Sequence, residues 1–214
     1  MLSTANTIDE YHSSSMDLPT LTETALRHPD CCCSLSSTLL DAITSNLCEN
    51  IDSGLVLSVG SGTGLLEALL LSLWTSSFVS VGRKLNMEGV EVLGSESLDL
   101  HSPNRYLPEE CFNVVKGSWA LSSRVKQAAA IMFVYPRSTE LVRRYMEEAA
   151  LFSDKLHIAL WLGPSSDWAE FEPSFTVSKL GELMKERVGY ENKISFAIFL
   201  IRKLSWKHTR EWDD

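Results

Sequence analysis

Residues Leu55 to Gly64 read LVLSVGSGTG, and the apolar run Leu65 to Trp74 follows directly. An apolar stretch of that length is a strand covered on both faces. The glycines at positions 60, 62 and 64 admit positive φ and let backbone approach a ligand with no Cβ in the way. The run behind them is a helix whose free N–H groups open onto the turn, where they donate to a negative or polar group. A chain carrying this unit must bury the strand in a sheet, lay the helix on it, and leave a cradle at the strand's carboxyl end.

The rest of the chain supplies partners for that unit. Further strands are expected at Val90–Val92 (bounded by Gly89 and Gly94), Phe112–Val115, Ala129–Tyr135, Leu156–Leu162 and Ile194–Ile201. Helices are expected at Leu65–Ser76, Ser122–Ala128, from a Ser138 cap to about Phe152 with Leu141, Tyr145, Met146 and Ala149 on one face, and at Val177–Val188 with Leu180, Leu183 and Met184 inward and Gly189 as C-cap. Phe78–Val81 fits either a helix end or a short strand. Before the glycine turn, Thr20–Arg27 reads as a short helix stopped by His28-Pro29. A second helix starts at Ser36 or Ser37 and runs to about Cys48, with Leu39, Leu40, Ile43 and Leu47 on one face. These N-terminal helices are expected over the entrance to the sheet. Strands alternating with helices specify an α/β fold: a doubly wound, mostly parallel sheet with helices on both faces and a helical N-terminal extension. One domain is expected over residues 20–204, after a Ser- and Thr-rich mobile stretch at 1–19 and before a charged tail at 205–214 containing Trp206 and Trp212.

Composition removes several functions. A net charge of -9 over 214 residues argues against nucleic-acid and anionic-membrane partners, which select a basic face. The five cysteines are Cys31, Cys32, Cys33, Cys48 and Cys111, with none of the paired spacing of a zinc site, so no metal is expected and the thiols suit a reducing interior. No secretory signal is evident, and the apolar run is interrupted by Glu67 and Ser72 and is about half the length of a membrane span. The expectation is a cytoplasmic protein.

Two cofactor classes use a glycine turn of this kind. The dinucleotide fingerprint, G-x-G-x-x-G or A, would place its third small residue at Leu65, whereas the spacing here is G-x-G-x-G. Val59-Gly60-Ser61-Gly62-Thr63-Gly64 resembles the first motif of the class I S-adenosylmethionine-dependent methyltransferases, which also typically have helices before their first strand. The resemblance covers the order of elements from about residue 36 to 203 and is specific in the first motif. It implies a cofactor site at Gly60, Ser61, Gly62 and Gly64, with the glycines along the methionine and ribose portion. Glu91 would accept hydrogen bonds from both ribose hydroxyls. Ser58 stands where such enzymes usually carry an Asp or Glu that helps hold the cofactor through the loop or a water. Ser118 stands where an acid often lies near the adenine amine, and Trp119 would stack on adenine or join the core.

The resemblance puts the methyl acceptor beyond the fourth and fifth strands, near Tyr135-Pro136-Arg137 and near Trp161, Ser165, Ser166, Asp167 and Trp168. Tyr135 and His101 are the candidates for contact with it, and His157 falls at the wrong strand end. The implied activity is methyl transfer to a small-molecule acceptor. One alternative is a methyltransferase-like protein without transfer, acting as a scaffold, partner or catalyst of other chemistry. Another is an NADP-dependent oxidoreductase, in which Phe78–Val81 is the second strand and Arg83 and Lys84 meet a 2′-phosphate. A serine hydrolase is excluded, because Gly60-Ser61-Gly62 is not the G-x-S-x-G elbow.

Overall fold

A computed structural model describes residues 17–78, 84–93, 103–117, 120–175, 183–189 and 194–201. The expected mobile stretch (apart from 17–19) and the charged tail lie outside them. The chain enters through a hairpin, β1 (Leu26–Arg27) antiparallel to β2 (Ser34–Leu35). This corrects the helix expected at Thr20–Arg27. Thr20, Thr22 and Thr24 are poor helix formers whose hydroxyls compete for backbone partners. The Thr22 Oγ1 donates to the Thr24 carbonyl at 3.0 Å, and the Thr22 carbonyl accepts from Ser37 N at 2.9 Å. Helix α1 (Ser37–Asn50) follows, capped by Ser36, whose Oγ accepts from Leu39 N at 3.1 Å. It buries Leu39, Leu40, Ile43 and Leu47, the face read from the sequence.

The sheet is built from β3 (Ser53–Val59), β4 (Lys84–Leu93), β5 (Phe112–Lys116), β6 (Ala128–Val134), β7 (Ile158–Pro164), β8 (Leu183–Gly189) and β9 (Ile194–Ile201). Their spatial order is β5-β4-β3-β6-β7-β9-β8. The five strands β3 to β7 pair in parallel, while β9 runs antiparallel to both β7 and β8. Helices α2 (Leu65–Phe78), α3 (Thr139–Phe152) and the short α4 (Trp168–Phe171) complete the fold. Strand order reverses between β3 and β6, so the crevice where such sheets take ligands opens at the carboxyl end of β3.

Alternation along the strands separates two cores. Val56 of β3 and Ala130, Met132 and Val134 of β6 face α1 and α2, while Leu57, Val59, Ile131 and Phe133 face α3. Ser58 shares the parity of Val56 and so points toward α2. At Gly54 the strands come unusually close: a Cβ there would lie 2.6 Å from Ala129 Cβ, beside the register shift between Leu55 and Val56.

Four further expectations change. The helix expected at Val177–Val188 is strand β8 over Leu183–Gly189, with residues 176–182 outside the described ones. Pairing with β9 decides the matter, because every residue from Leu183 to Gly189 finds an antiparallel partner there. The second strand is far longer than Val90–Val92 and contains Gly89 rather than stopping at it. A Cβ on Gly89 would lie 2.7 Å from both Ser61 Oγ and Leu107 Cδ1, so the glycine marks a close approach within the strand. Ser122–Ala128 is a 3-10 turn over Ser123–Gln127 rather than an α-helix. On α3 the buried face uses Val142 with Tyr145, Met146 and Ala149.

Candidate functional site

The glycine turn is tied to β4 by main chain and side chain together. Gly60 N donates to the Val90 carbonyl at 2.7 Å. Glu91, one residue further along β4, accepts from Gly62 N through Oε2 at 2.9 Å. Gly62 has φ 55°, and nothing lies within 4 Å of where its Cβ would be. The turn therefore keeps a left-handed backbone and an open face. Burial pushes the half-buried Glu91 carboxyl up, with the Gly62 N–H and the Arg137 cation opposing the rise.

The open face lines a cavity of about 460 Å³ that Gly60, Ser61, Gly62 and Thr63 share with Glu67 and the hairpin residues Arg27 to Cys32. Asp30 holds that hairpin in place. Its carbonyl accepts from Thr63 Oγ1 at 2.6 Å, and its carboxylate receives Arg105 at 3.0 Å and the Tyr106 hydroxyl at 2.8 Å. Arg105 N and Tyr106 N in turn donate to the Thr63 carbonyl at 2.9 and 3.2 Å. Gly64 serves this clamp: Asn104 Oδ1 and Leu107 Cγ lie 2.8 and 2.9 Å from where its Cβ would be, and Gly64 is not among the cavity-lining residues. Ser61 lines the cavity, but its Oγ is buried beside Gly89 without a partner among the described residues. Of the thiols on the hairpin, Cys31 and Cys33 approach to 3.3 Å between sulfurs, and the hydrogen bond with Cys33 holds Cys31 below the usual thiol range.

Ser58 has a partner that the sequence reading missed. Its Oγ donates to Glu67 Oε1 at 2.5 Å, at the base of the turn. Glu67 is the third residue of α2 and is 1% exposed, and its Oε2 has no hydrogen-bond partner among the described residues. A carboxyl group nine residues later is thus held against the Ser58 hydroxyl. The available signal is the one acid in α2, set among leucines, which by itself is no more than an interruption of a hydrophobic run.

Burial pushes the Glu67 carboxyl up to about 7; the Ser58 hydroxyl and backbone N–H oppose the rise, and Glu91 adds to it. The ordinary value is 4.5, so between the two the folded chain keeps a proton that the unfolded chain has lost. The associated stability is complete below the unfolded value and is lost as pH rises through the folded one. Ligand-free protein is expected to lose roughly 3 kcal/mol across this window from Glu67 alone. Urea unfolding from pH 4.5 to 8 measures it, and Glu67→Gln is expected to flatten the slope.

A second cavity of about 490 Å³ lies beyond β6 and β7, and Cys32 borders both cavities. Tyr135, Arg137, Trp161, Asp167 and Glu170 line it, so it gathers most of the residues expected near an acceptor. Trp161 is buried edge-to-face against Trp168 at 5.1 Å, and its Nε1 has no partner among the described residues. Tyr135 stands at φ 48°, the left-handed region that non-glycine residues rarely adopt, and its N donates to the Leu162 carbonyl at 2.7 Å. Burial, then the charges of Cys33, Cys31 and Cys32, push its phenol up to about 12. At neutral pH Tyr135 is a hydrogen-bond donor rather than a base. His101, Ser118 and Trp119 lie outside the described residues, as do Arg83 and Phe78–Val81 beyond Phe78. Lys84 pairs with Ser53 at the start of β3, the sheet end opposite the glycine turn. Among the described residues no group of three or more His, Cys, Asp or Glu is placed to hold a metal ion, and no helix is long and apolar enough to cross a membrane.

No protein-family model and no curated protein sequence matches the chain. Solved structures do. The apo form of the S-adenosylmethionine-dependent methyltransferase SibL matches with a TM-score of 0.51 and 11% identity, over 78% of this chain and 55% of SibL. Precorrin-6y C5,15-methyltransferase from Geobacter metallireducens matches with a TM-score of 0.51 and 8% identity, over 85% of this chain and 95% of that one. The methyltransferase domain of METTL16 matches with a TM-score of 0.50 and 11% identity, over 78% and 83% respectively. The chain thus spans just over half of SibL and most of the other two. Identities this low speak to the fold. With a five-stranded parallel core, an order that reverses beside the glycine turn and an antiparallel β9, the chain has the fold of the class I S-adenosylmethionine-dependent methyltransferases.

Proposed function

We propose that the chain binds S-adenosylmethionine in the cavity at the glycine turn and transfers its methyl group to a small molecule held in the adjoining cavity. The observation that carries this reading is the pairing of an open glycine cradle, fixed by Glu91, with a second cavity across Cys32. The residues suit such a ligand. Gly62 leaves its face free, and Glu67 borders the cavity with an unpartnered carboxyl oxygen; Glu91 does not line the cavity itself but is bonded to Gly62 at its edge through one oxygen, with the second to offer ribose hydroxyls. Gly60 and Ser61 complete the cofactor side, Ser58 acts on it only through its hydrogen bond to Glu67, and Ser118 and Trp119 remain candidates for its adenine end.

When bound, S-adenosylmethionine supplies a methyl group on a sulfonium, a leaving group that departs without acid assistance. What falls to the protein is alignment of the acceptor and removal of a proton from it. Asp167 and Glu170 are the carboxylates in the second cavity that can take that proton. Tyr135, kept neutral, orients the acceptor by donating a hydrogen bond, and the Trp161 indole adds a donor and an apolar wall. A cavity of about 490 Å³ suits a small molecule.

Calorimetry with S-adenosylhomocysteine and with a phosphorylated dinucleotide tests the reading. Binding of S-adenosylhomocysteine alone is expected. Binding of the dinucleotide alone would favour the oxidoreductase, and binding of neither would favour a fold used as a scaffold.

A further inference from the structure

Glu67 is the most anomalous polar group in the described structure. It sits among leucines in the first half of α2 and is all but inaccessible, yet only one of its two oxygens is satisfied among the described residues. No cation pairs with it there. A buried carboxyl in this state is costly to ionise unless a positive group arrives. The groups that face it deepen the need. Glu91 on β4 and the thiols of Cys31 and Cys33 on the hairpin are like-charged when ionised, and Ser58 on β3 brings no charge. Arg27, His28 and Asp30 share the cavity wall, and Tyr135 stays neutral. Glu67 itself borders the cavity beside Gly60 and Gly62.

We propose that Glu67 is the carboxylate that receives the ammonium of the ligand's amino-acid end, and that the ligand's arrival expels a proton from it. This rests on reading the first cavity as the S-adenosylmethionine site, and it goes further by making binding there proton-coupled. The exchange balances: a neutral Glu67 carboxyl and an ammonium ligand give a carboxylate–ammonium pair and one proton, released to solvent. Without ligand, burial holds the carboxyl up to about 7, so the exchange falls within the physiological range. Ser58 fixes Oε1 and leaves Oε2 for the ammonium.

Calorimetry with S-adenosylhomocysteine at pH 6 and pH 8, in two buffers of different ionisation enthalpy, reads both affinity and protons released. Wild-type protein is expected to bind about tenfold more tightly at pH 8 than at pH 6 and to release a proton at the lower pH. Methylthioadenosine, which has the nucleoside but not the amino-acid end, is expected to show neither effect, and this separates Glu67 from Glu91 and His28. Glu67→Gln is expected to bind S-adenosylhomocysteine more weakly at pH 8 and with no pH dependence. Equal wild-type affinity at both pH values without proton release would overturn the proposal while leaving the cofactor reading intact, as would the same pH dependence for methylthioadenosine. Failure of the wild type to bind at either pH would overturn both.

Discussion

Gly62→Leu is expected to weaken binding of S-adenosylhomocysteine by at least about 100-fold, or close to 3 kcal/mol, while the domain stays folded. The two halves of that expectation have separate causes. A leucine at φ 55° incurs left-handed strain of about 1–2 kcal/mol, well short of the stability of an ordinary domain. Nothing within 4 Å opposes the new Cβ, so no neighbour in the core has to move. Gly62 lines the cavity, so the added side chain is expected to enter it and displace ligand. Circular dichroism and calorimetry on the same sample read both halves. A variant that folds and binds normally would move the site elsewhere.

Gly54→Ala is expected to have the opposite profile, destabilising the fold by about 2–5 kcal/mol through strain and overpacking combined. Its φ of 145° is outside the range that side-chain-bearing residues favour, and the added Cβ would stand 2.6 Å from Ala129 Cβ. Both atoms are fixed to backbone, so neither can rotate away. Relief requires β3 and β6 to separate where their register already shifts. Urea unfolding measures the loss. An unchanged midpoint would mean that the strand spacing at this point is not set by the glycine.

These two glycines also show what was legible in the sequence. Gly60 to Gly64 announced a cradle because three alternating glycines after an apolar strand leave few other structures. The caps at Ser36 and Ser138, the face of α1 and Tyr145, Met146 and Ala149 on α3 followed from helical periodicity and the preference of serine for the N-cap, while Val142 rather than Leu141 completes the buried face of α3. Local patterns failed where the partner was distant. Leu180, Leu183 and Met184 satisfy helical spacing, and only the neighbouring β9 makes Leu183–Gly189 a strand. Gly89 looked like a boundary because the atoms it makes room for, on Ser61 and Leu107, come from other segments. The Thr20–Arg27 segment likewise takes its form from β2 and Ser37.

The site divides in the same way. Glu91 was placed correctly on the second strand, but its contact with Gly62 spans 29 residues of sequence and could not be read there. At Ser58 the sequence alone shows only the lack of a charge. An acid does lie on α2, and the strand–turn–helix geometry is what brings Glu67 back beneath the turn, against the Ser58 hydroxyl. Asp30, which fastens the hairpin to Thr63, Arg105 and Tyr106, carried no sequence signal at all.

The most direct measurement is a crystal structure of the chain with saturating S-adenosylhomocysteine. Ligand density is expected along Gly60 to Gly62, with the ribose at Glu91 and the amino-acid end at Glu67. Density at another place, or an empty cavity at a concentration where binding is saturated in solution, would contradict the assignment of this cleft to S-adenosylmethionine.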